Sequence, residues 1–185
     1  MKPWQTDVLK RGPRVVLRHP ADSDHPELME LIRSSRAVHR PWVYLPENRE
    51  ELETYMARTQ TEAFETLLVC DRSDGSIVGV YNLSQIFRGA FQNAYLSYYV
   101  GAHAEGRGAM SDGLELVLAY AFTTLRLHRI EANIQPGNVR SIALVKRAGL
   151  RKEGFSPRYL KIGGRWRDHE RWGITVEDWR ELRAR

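Results

Sequence analysis

The sequence predicts an α/β fold with a mixed, mostly antiparallel central sheet and helices on both of its faces. Three observations carry that prediction. Strand-like runs follow one another at residues 66–72, 77–86 and 93–100; a long helical stripe comes directly after them; and a further strand at 129–134 completes a strand, helix, strand unit in the middle of the chain. A chain of 185 residues supports one core of ordinary size, so residues 1–185 are read as a single domain.

The elements follow in order. Val15-Val16-Leu17, just after Pro13, reads as a first strand, and residues 22–36 read as a helix with Leu28, Leu31 and Ile32 on one side and Asp22 or Ser23 as its cap. A proline-bounded loop at 41–46 precedes a charged helix over 49–61. Asp74-Gly75 marks a hairpin between the first two strands of the middle group. Leu114, Val117, Leu118, Ala121, Phe122 and Leu125 recur at steps of three and four and give the long helix one buried stripe. After the strand at 129–134 come a turn at Pro136-Gly137, a helix over 139–146 ended by Ala148-Gly149, and two strands over 154–162 and 167–175.

Composition narrows the class of protein. Apolar residues make up 42% and charged residues 28%, which excludes disordered and fibrous chains. Apolar runs such as 66–70 fall far below the roughly 18 to 20 residues of a membrane span, and residues 1–10 lack the apolar centre of a signal peptide. A cytoplasmic protein with no membrane partner is expected. The one cysteine, Cys70, lies in a buried-strand pattern and reads as a packed thiol. Lys and Arg number 28 against 23 Asp and Glu. The excess gathers after Arg140, in Arg147, Arg151, Lys152, Arg158, Lys161, Arg165, Arg167 and Arg171, and suits an anionic partner or a solvated basic face.

Chemistry is written most clearly in Val100-Gly101-Ala102-His103-Ala104-Glu105-Gly106-Arg107-Gly108-Ala109, which leaves a strand and opens the long helix. Glycines at 106 and 108 let bare N–H groups approach a ligand, and the helix start adds the positive end of its dipole. The result is an anion cradle. It is neither a P-loop, since no Lys-Ser or Lys-Thr follows, nor a dinucleotide fingerprint, since a third glycine is missing. A second segment starts another helix with Asn138 and Ser141 three residues apart and on one face, where Asn138 is also an ordinary cap for the Ser141 amide. The histidines 103, 128 and 169 have no Cys or His partners at ligand spacing, so no metal is expected.

These segments resemble the GNAT superfamily of N-acetyltransferases. Its pyrophosphate loop, Arg/Gln-x-x-Gly-x-Gly/Ala, is matched in its glycines by His103-Ala104-Glu105-Gly106-Arg107-Gly108, with His103 in place of the usual Arg or Gln. His128-Arg129-Ile130-Glu131-Ala132-Asn133, Asn138 with Ser141, Lys146-Arg147-Ala148-Gly149-Leu150 and the Arg151-Lys152-Glu153-Gly154 that follows are similar to the ribosomal-protein branch, RimJ and RimL. Arg40-Pro41-Trp42, Phe87-Arg88-Gly89-Ala90-Phe91, Tyr95-Leu96-Ser97-Tyr98 and Gly164-Arg165-Trp166-Arg167-Asp168-His169 look most like its RimJ type, and the likeness runs from about Arg40 to Thr175.

The resemblance implies a GNAT fold with a splayed strand pair that receives acetyl-CoA. It implies Tyr99, Val100 and Gly101 along the pantetheine arm, the Val100 amide region at the thioester carbonyl, and the amides from His103 to Ala109, with Gly106, Arg107 and Gly108 between, at the pyrophosphate. Asn138 would bond the cofactor or a water, and Ser141 would protonate the leaving thiolate, with Tyr81, Tyr98 and Tyr159 as alternates. Glu131 is the candidate base acting through water, unless it only pairs with an arginine, and Trp42 and Tyr44 stand where the amine would enter or simply close the sheet. The expected acceptor is a protein N-terminus, with a small amine as alternative; ribosome association and a monomer or homodimer are compatible. A lip of Glu47, Glu50, Glu51 and Glu53 would receive a basic substrate, or be a solvated helix face. A competing class is a basic RNA- or ribosome-binding module without chemistry, credited by arginines among Trp166, Trp172 and Trp179.

Overall fold

In a computed structural model of the chain, residues 7–58 and 61–184 are described. Eight strands form one sheet in the order β1-β2-β3-β4-β5-β6-β8-β7. They are β1 (Val8–Arg11), β2 (Val15–Arg18), β3 (Phe64–Asp71), β4 (Ile77–Phe87), β5 (Asn93–Val100), β6 (Arg129–Ile134), β7 (Arg151–Ile162) and β8 (Arg165–Thr175). All neighbours are antiparallel except β5 and β6, the parallel pair that the crossover helix requires.

The helices are α1 (His25–Ser34), α2 (Arg36–His39), α3 (Arg49–Ala57), α4 (Ala109–Thr123), α5 (Val139–Arg147) and α6 (Val176–Arg183). Helix α4 carries the predicted stripe: Leu114, Val117, Leu118 and Ala121 pack with Leu17, Val69, Leu83 and Leu96 on one face of the sheet. On the other face, Leu28, Leu31 and Ile32 of α1 and Leu52 and Met56 of α3 pack on Val16, Leu68, Cys70 and Val80. Helices therefore cover both faces as expected. Cys70 is fully buried, which pushes its thiol up to about 11 and leaves it unreactive.

Three local readings are corrected. The stretch 22–36 is a short 3-10 turn at Asp22–Asp24 followed by α1, with Pro26 in its first turn, and α2 is a separate turn after Ser35. Helix α3, capped by the Asn48 side chain on the Glu51 amide, ends at Ala57, and residues 59 and 60 of the expected helix lie outside the described residues. Strand β1 and helix α6 were not anticipated: Val8–Arg11 mixes apolar and basic residues over only four positions, and α6 has a Thr175–Asp178 capping box in a charge-rich segment.

Asp24 is part of the core's one well-buried ion pair among the described residues. Its carboxylate receives both Arg18 Nη atoms at 2.7 and 2.8 Å and the Ala21 amide at 2.7 Å, with both side chains at or below 10% exposure. Asp24→Ala would leave the Arg18 cation buried and alone, a loss of about 3 kcal/mol. Urea unfolding of the variant is expected to show a correspondingly lower midpoint at unchanged slope.

Candidate active site

The site begins where β5 and β6 part. Their parallel pairing runs from Asn93 and Arg129 only to Leu96 and Ala132. Beyond that, β5 stays with β4 as far as Val100 opposite Gly79, while β6 stays with β8 as far as Ile134 opposite Glu170. Each strand keeps its outer neighbour and loses its inner one. The gap opens into a cleft of about 620 Å³, lined on the β5 side by Tyr98, Tyr99, Val100, Gly106 and Gly108 and on the α5 side by Asn138, Ser141 and Arg147.

The head of the cleft is the glycine turn. Gly106 and Gly108 have φ of 74° and 79°, the left-handed region that an L side chain enters only with strain. Gly108 caps α4, and the Ser111 and Asp112 amides both return to its carbonyl at 3.0 and 3.1 Å. The Ala109 and Met110 amides are then the ones that helix geometry turns outward, with the dipole behind them. A Cβ on Gly106 would meet nothing within 4 Å, so this edge of the turn is open to a ligand. Arg14 stands beside it, bonded to Asp112 and to the Arg107 carbonyl. Its guanidinium supplies charge at the cradle from a residue that no motif indicated. The exposed Arg147 adds a second cation, and Arg140 pairs with Glu105 across the rim.

Across the cleft, Asn138 caps α5 by accepting the Ser141 amide at 3.2 Å, and its side-chain NH₂ stays available to a ligand. Tyr98 donates to the Ser141 carbonyl at 3.3 Å, so both backbone ends of Ser141 are held where it lines the gap. Burial pushes the Tyr98 phenol up to about 12 and keeps it neutral. Tyr81 is spoken for, its hydroxyl on the Met110 carbonyl at 2.7 Å under complete burial.

Other predicted residues lie apart from the lining. The His103 ring folds back against Gly101, and Arg107 is exposed beside the turn. Ala109 opens α4, and Gly101, its amide on the Val78 carbonyl, continues the β5 edge. Glu131 lies beside Tyr95 in the paired part of the sheet, where Arg129 binds it at 2.8 Å and also pairs with Glu153. Trp42 does line the cleft and touches Gly137, while Tyr44 lies outside it, against Gly163 and under the Arg40 guanidinium. The acidic lip is largely consumed internally: Glu47 pairs with Arg36 and Arg40, Glu53 with Arg49, and Glu51 closes the α3 cap.

Sequence reasoning missed His39. It lies in the lining at 5% exposure, with Nε2 at 2.8 Å from the Val100 carbonyl and its ring edge-on to Tyr99 at 5.5 Å. No signal within α2 announces a contact 61 residues away. Among the described residues no group of His, Cys, Asp and Glu is arranged to hold a metal, and no helix is long and apolar enough to cross a membrane.

A parallel pair splayed beside a glycine-lined helix start makes an extended cleft that ends in an anion-binding turn. Known proteins identify the class. Residues 14–151 match the Acetyltransferase (GNAT) domain. The [ribosomal protein uS5]-alanine N-acetyltransferase of Escherichia coli is 34% identical over 178 residues, covering 90% of each chain. A probable N-acetyltransferase of Bacillus subtilis, YjcK, is 36% identical over 130 residues, 70% of this chain and 72% of that one. The solved structure of Mycobacterium smegmatis RimJ in complex with CoA-disulfide superposes with a TM-score of 0.84 at 26% identity, covering all of this chain and 97% of the other. The chain belongs to the GNAT acetyltransferase family and is an N-acetyltransferase of that type, close to the RimJ enzymes.

Burial holds the imidazoles of His39 and His169 below their ordinary range. The unfolded chain therefore takes up these protons first, so the stability due to the neutral rings is present above about pH 6.5 and is lost as the pH falls below it. Thermal unfolding from pH 7.5 to 5.5 is expected to show a falling midpoint, and His39→Phe a shallower fall, because His169 alone then contributes.

Proposed function

We propose that the protein transfers acetyl from acetyl-CoA to the α-amine of a protein N-terminus, of the ribosomal-protein alanine kind, within one domain that spans the chain. The observation that carries the cofactor half is the meeting, across one gap, of the Gly106 and Gly108 turn with Asn138 and Ser141. The acceptor half is supported by likeness to the uS5-alanine enzyme over nine-tenths of the chain.

In this reading the β5 backbone from Tyr99 to Gly101, which has no strand neighbour on its inner side and whose Val100 carbonyl is held there by His39, runs along the pantetheine arm. The backbone from His103 to Ala109 holds the pyrophosphate, with Arg14, Arg107 and Arg147 supplying charge. Asn138 donates its NH₂ to the cofactor or a bound water. The amine attacks the thioester carbon; the C–N bond forms, the C–S bond breaks, and Ser141 gives its hydroxyl proton to the departing sulfur and is reprotonated by the proton that the amine releases through water and Glu131. The proton released by the amine passes through water toward Glu131, which stands outside the lining and reaches the reacting nitrogen only that way. Trp42 forms the wall that the acceptor passes, and Tyr44 lies further out on the same loop.

Calorimetric titration with acetyl-CoA and CoA tests the first half. Saturable binding is expected in the parent and its loss in Gly108→Trp, whose side chain strains the turn and displaces the Arg14 guanidinium; no binding by the folded parent overturns the reading and favours an RNA-binding role, checked by salt-dependent RNA affinity. Ser141→Ala should lower kcat on the order of 100-fold with CoA affinity intact. An acceptor screen pairing alanine-terminated ribosomal peptides with polyamines separates the two substrate classes: turnover of polyamines alone would replace the protein acceptor with a small amine.

A further inference from the structure

Between α2 and the Pro41–Pro46 loop, four residues cross the mouth of the splay and are fastened at both sides. On the β5 side, the His39 ring donates to the Val100 carbonyl at 2.8 Å. One helical turn earlier, the fully buried Ser35 hydroxyl accepts the Ala102 amide at 2.8 Å. This pair grips the backbone on either side of Gly101, the stretch that leads from the open strand edge into the glycine turn. On the β6 side, the Trp42 carbonyl accepts the Gln135 side chain at 3.2 Å, and its ring lies against Gly137, immediately before Asn138. The two attachments are joined through one residue: the His39 carbonyl takes the Trp42 and Val43 amides at 2.9 and 3.0 Å.

Resting on the acetyl-CoA reading above, we propose that residues 39–42 form a strap whose two feet, His39 on Val100 and Trp42 on Gln135, set the width of the splay and couple occupancy of the CoA cleft to the acceptor-side loop. His39 is its positioning residue. A ligand inserted along the β5 edge presses on the same backbone that His39 holds, and the first atoms to feel it beyond the cleft are the Trp42 and Val43 amides bonded to the His39 carbonyl. Coupling of this kind is reciprocal, so an ordered loop in turn favours the cofactor.

Two variants and one measurement on the parent protein decide it. His39→Phe keeps a ring against Tyr99 and removes the donor, whereas His39→Gln restores a donor of similar reach. CoA binding to the parent, followed by hydrogen exchange, should protect the Trp42 and Val43 amides. His39→Phe is expected to weaken CoA binding by about three- to tenfold, the range of one net hydrogen bond, and to lose that protection even at saturating CoA, with both largely recovered in His39→Gln. Gln135→Leu, which frees the other foot, should likewise abolish the protection while the glycine turn still binds. Unchanged exchange at Trp42 and Val43 when CoA saturates the parent overturns the proposal, whether or not any variant folds. Equal protection in His39→Phe overturns it also. Absence of CoA binding by the parent is a different result and removes the acetyl-CoA reading itself.

Discussion

From Ser97 to Val100 the chain is hydrogen-bonded as a strand on one side only, and the rest of the site depends on that one-sidedness. A buried backbone needs partners for its N–H and C=O groups. In most of the sheet the neighbour supplies them. Here β4 satisfies one edge while β6 has turned away with β8, so the inner edge of β5 has no strand neighbour and faces a cleft, with the Val100 carbonyl held by His39. Such an edge accepts an extended amide-containing ligand as it would accept another strand. The pantetheine arm of CoA, with its two amides, has that form.

An open edge alone would bind any extended chain, and selectivity comes from what stands at its end. A short 3-10 turn at Ala102–Ala104 and the glycines at 106 and 108 lead from the β5 edge to the start of α4, so the positive helix terminus lies in the same cleft as the strand edge. Arg14 reinforces that end from the residue just before β2, distant in sequence but brought close by the packing of α4 on β2. Asp112 would be unfavourable beside a diphosphate by itself; held by two Arg14 nitrogens, it fixes the guanidinium while its own charge is offset. The cradle is therefore built from backbone and from a cation anchored outside the motif.

How much of this could be read from the chain divides along the range of the interactions. The order of strands 64–71, 77–87 and 93–100, the α4 stripe and the crossover to β6 were legible because each is written in local periodicity, and Gly106, Gly108, Asn138 and Ser141 because their chemistry is local to a turn or a cap. The splay itself was not read from β5, whose strand pattern passes through the polar Ser97, the first residue beyond the last pair with β6, without a turn residue. Arg14 and His39 were invisible for the same reason: their partners lie 98 and 61 residues away. Glu131 shows the converse. Its place in a shared motif drew attention to it, but its neighbours Arg129 and Tyr95 are set by strand register, and register puts it beside the cleft and outside the lining.

Charge on the acceptor side follows a similar logic. A row of glutamates at 47, 50, 51 and 53 suggested a landing place for a basic chain, yet Glu47, Glu51 and Glu53 are bound to Arg36, Arg40, the α3 cap and Arg49. Glu47 and Glu51 hold the loop that follows Trp42 against α2 and α3, whereas the Glu53 pair lies within α3. That loop reaches across to Gly163 of the β7–β8 hairpin through Tyr44, and to Gly137 through Trp42, so both contacts are made by aromatic faces on glycines where any larger side chain would hold the loop away. The acceptor side is thus shaped by aromatic and main-chain surfaces more than by charge. On the proposed reading of a peptide acceptor, selection there would fall on the size and extension of the group presenting the amine, not on attraction between opposite charges.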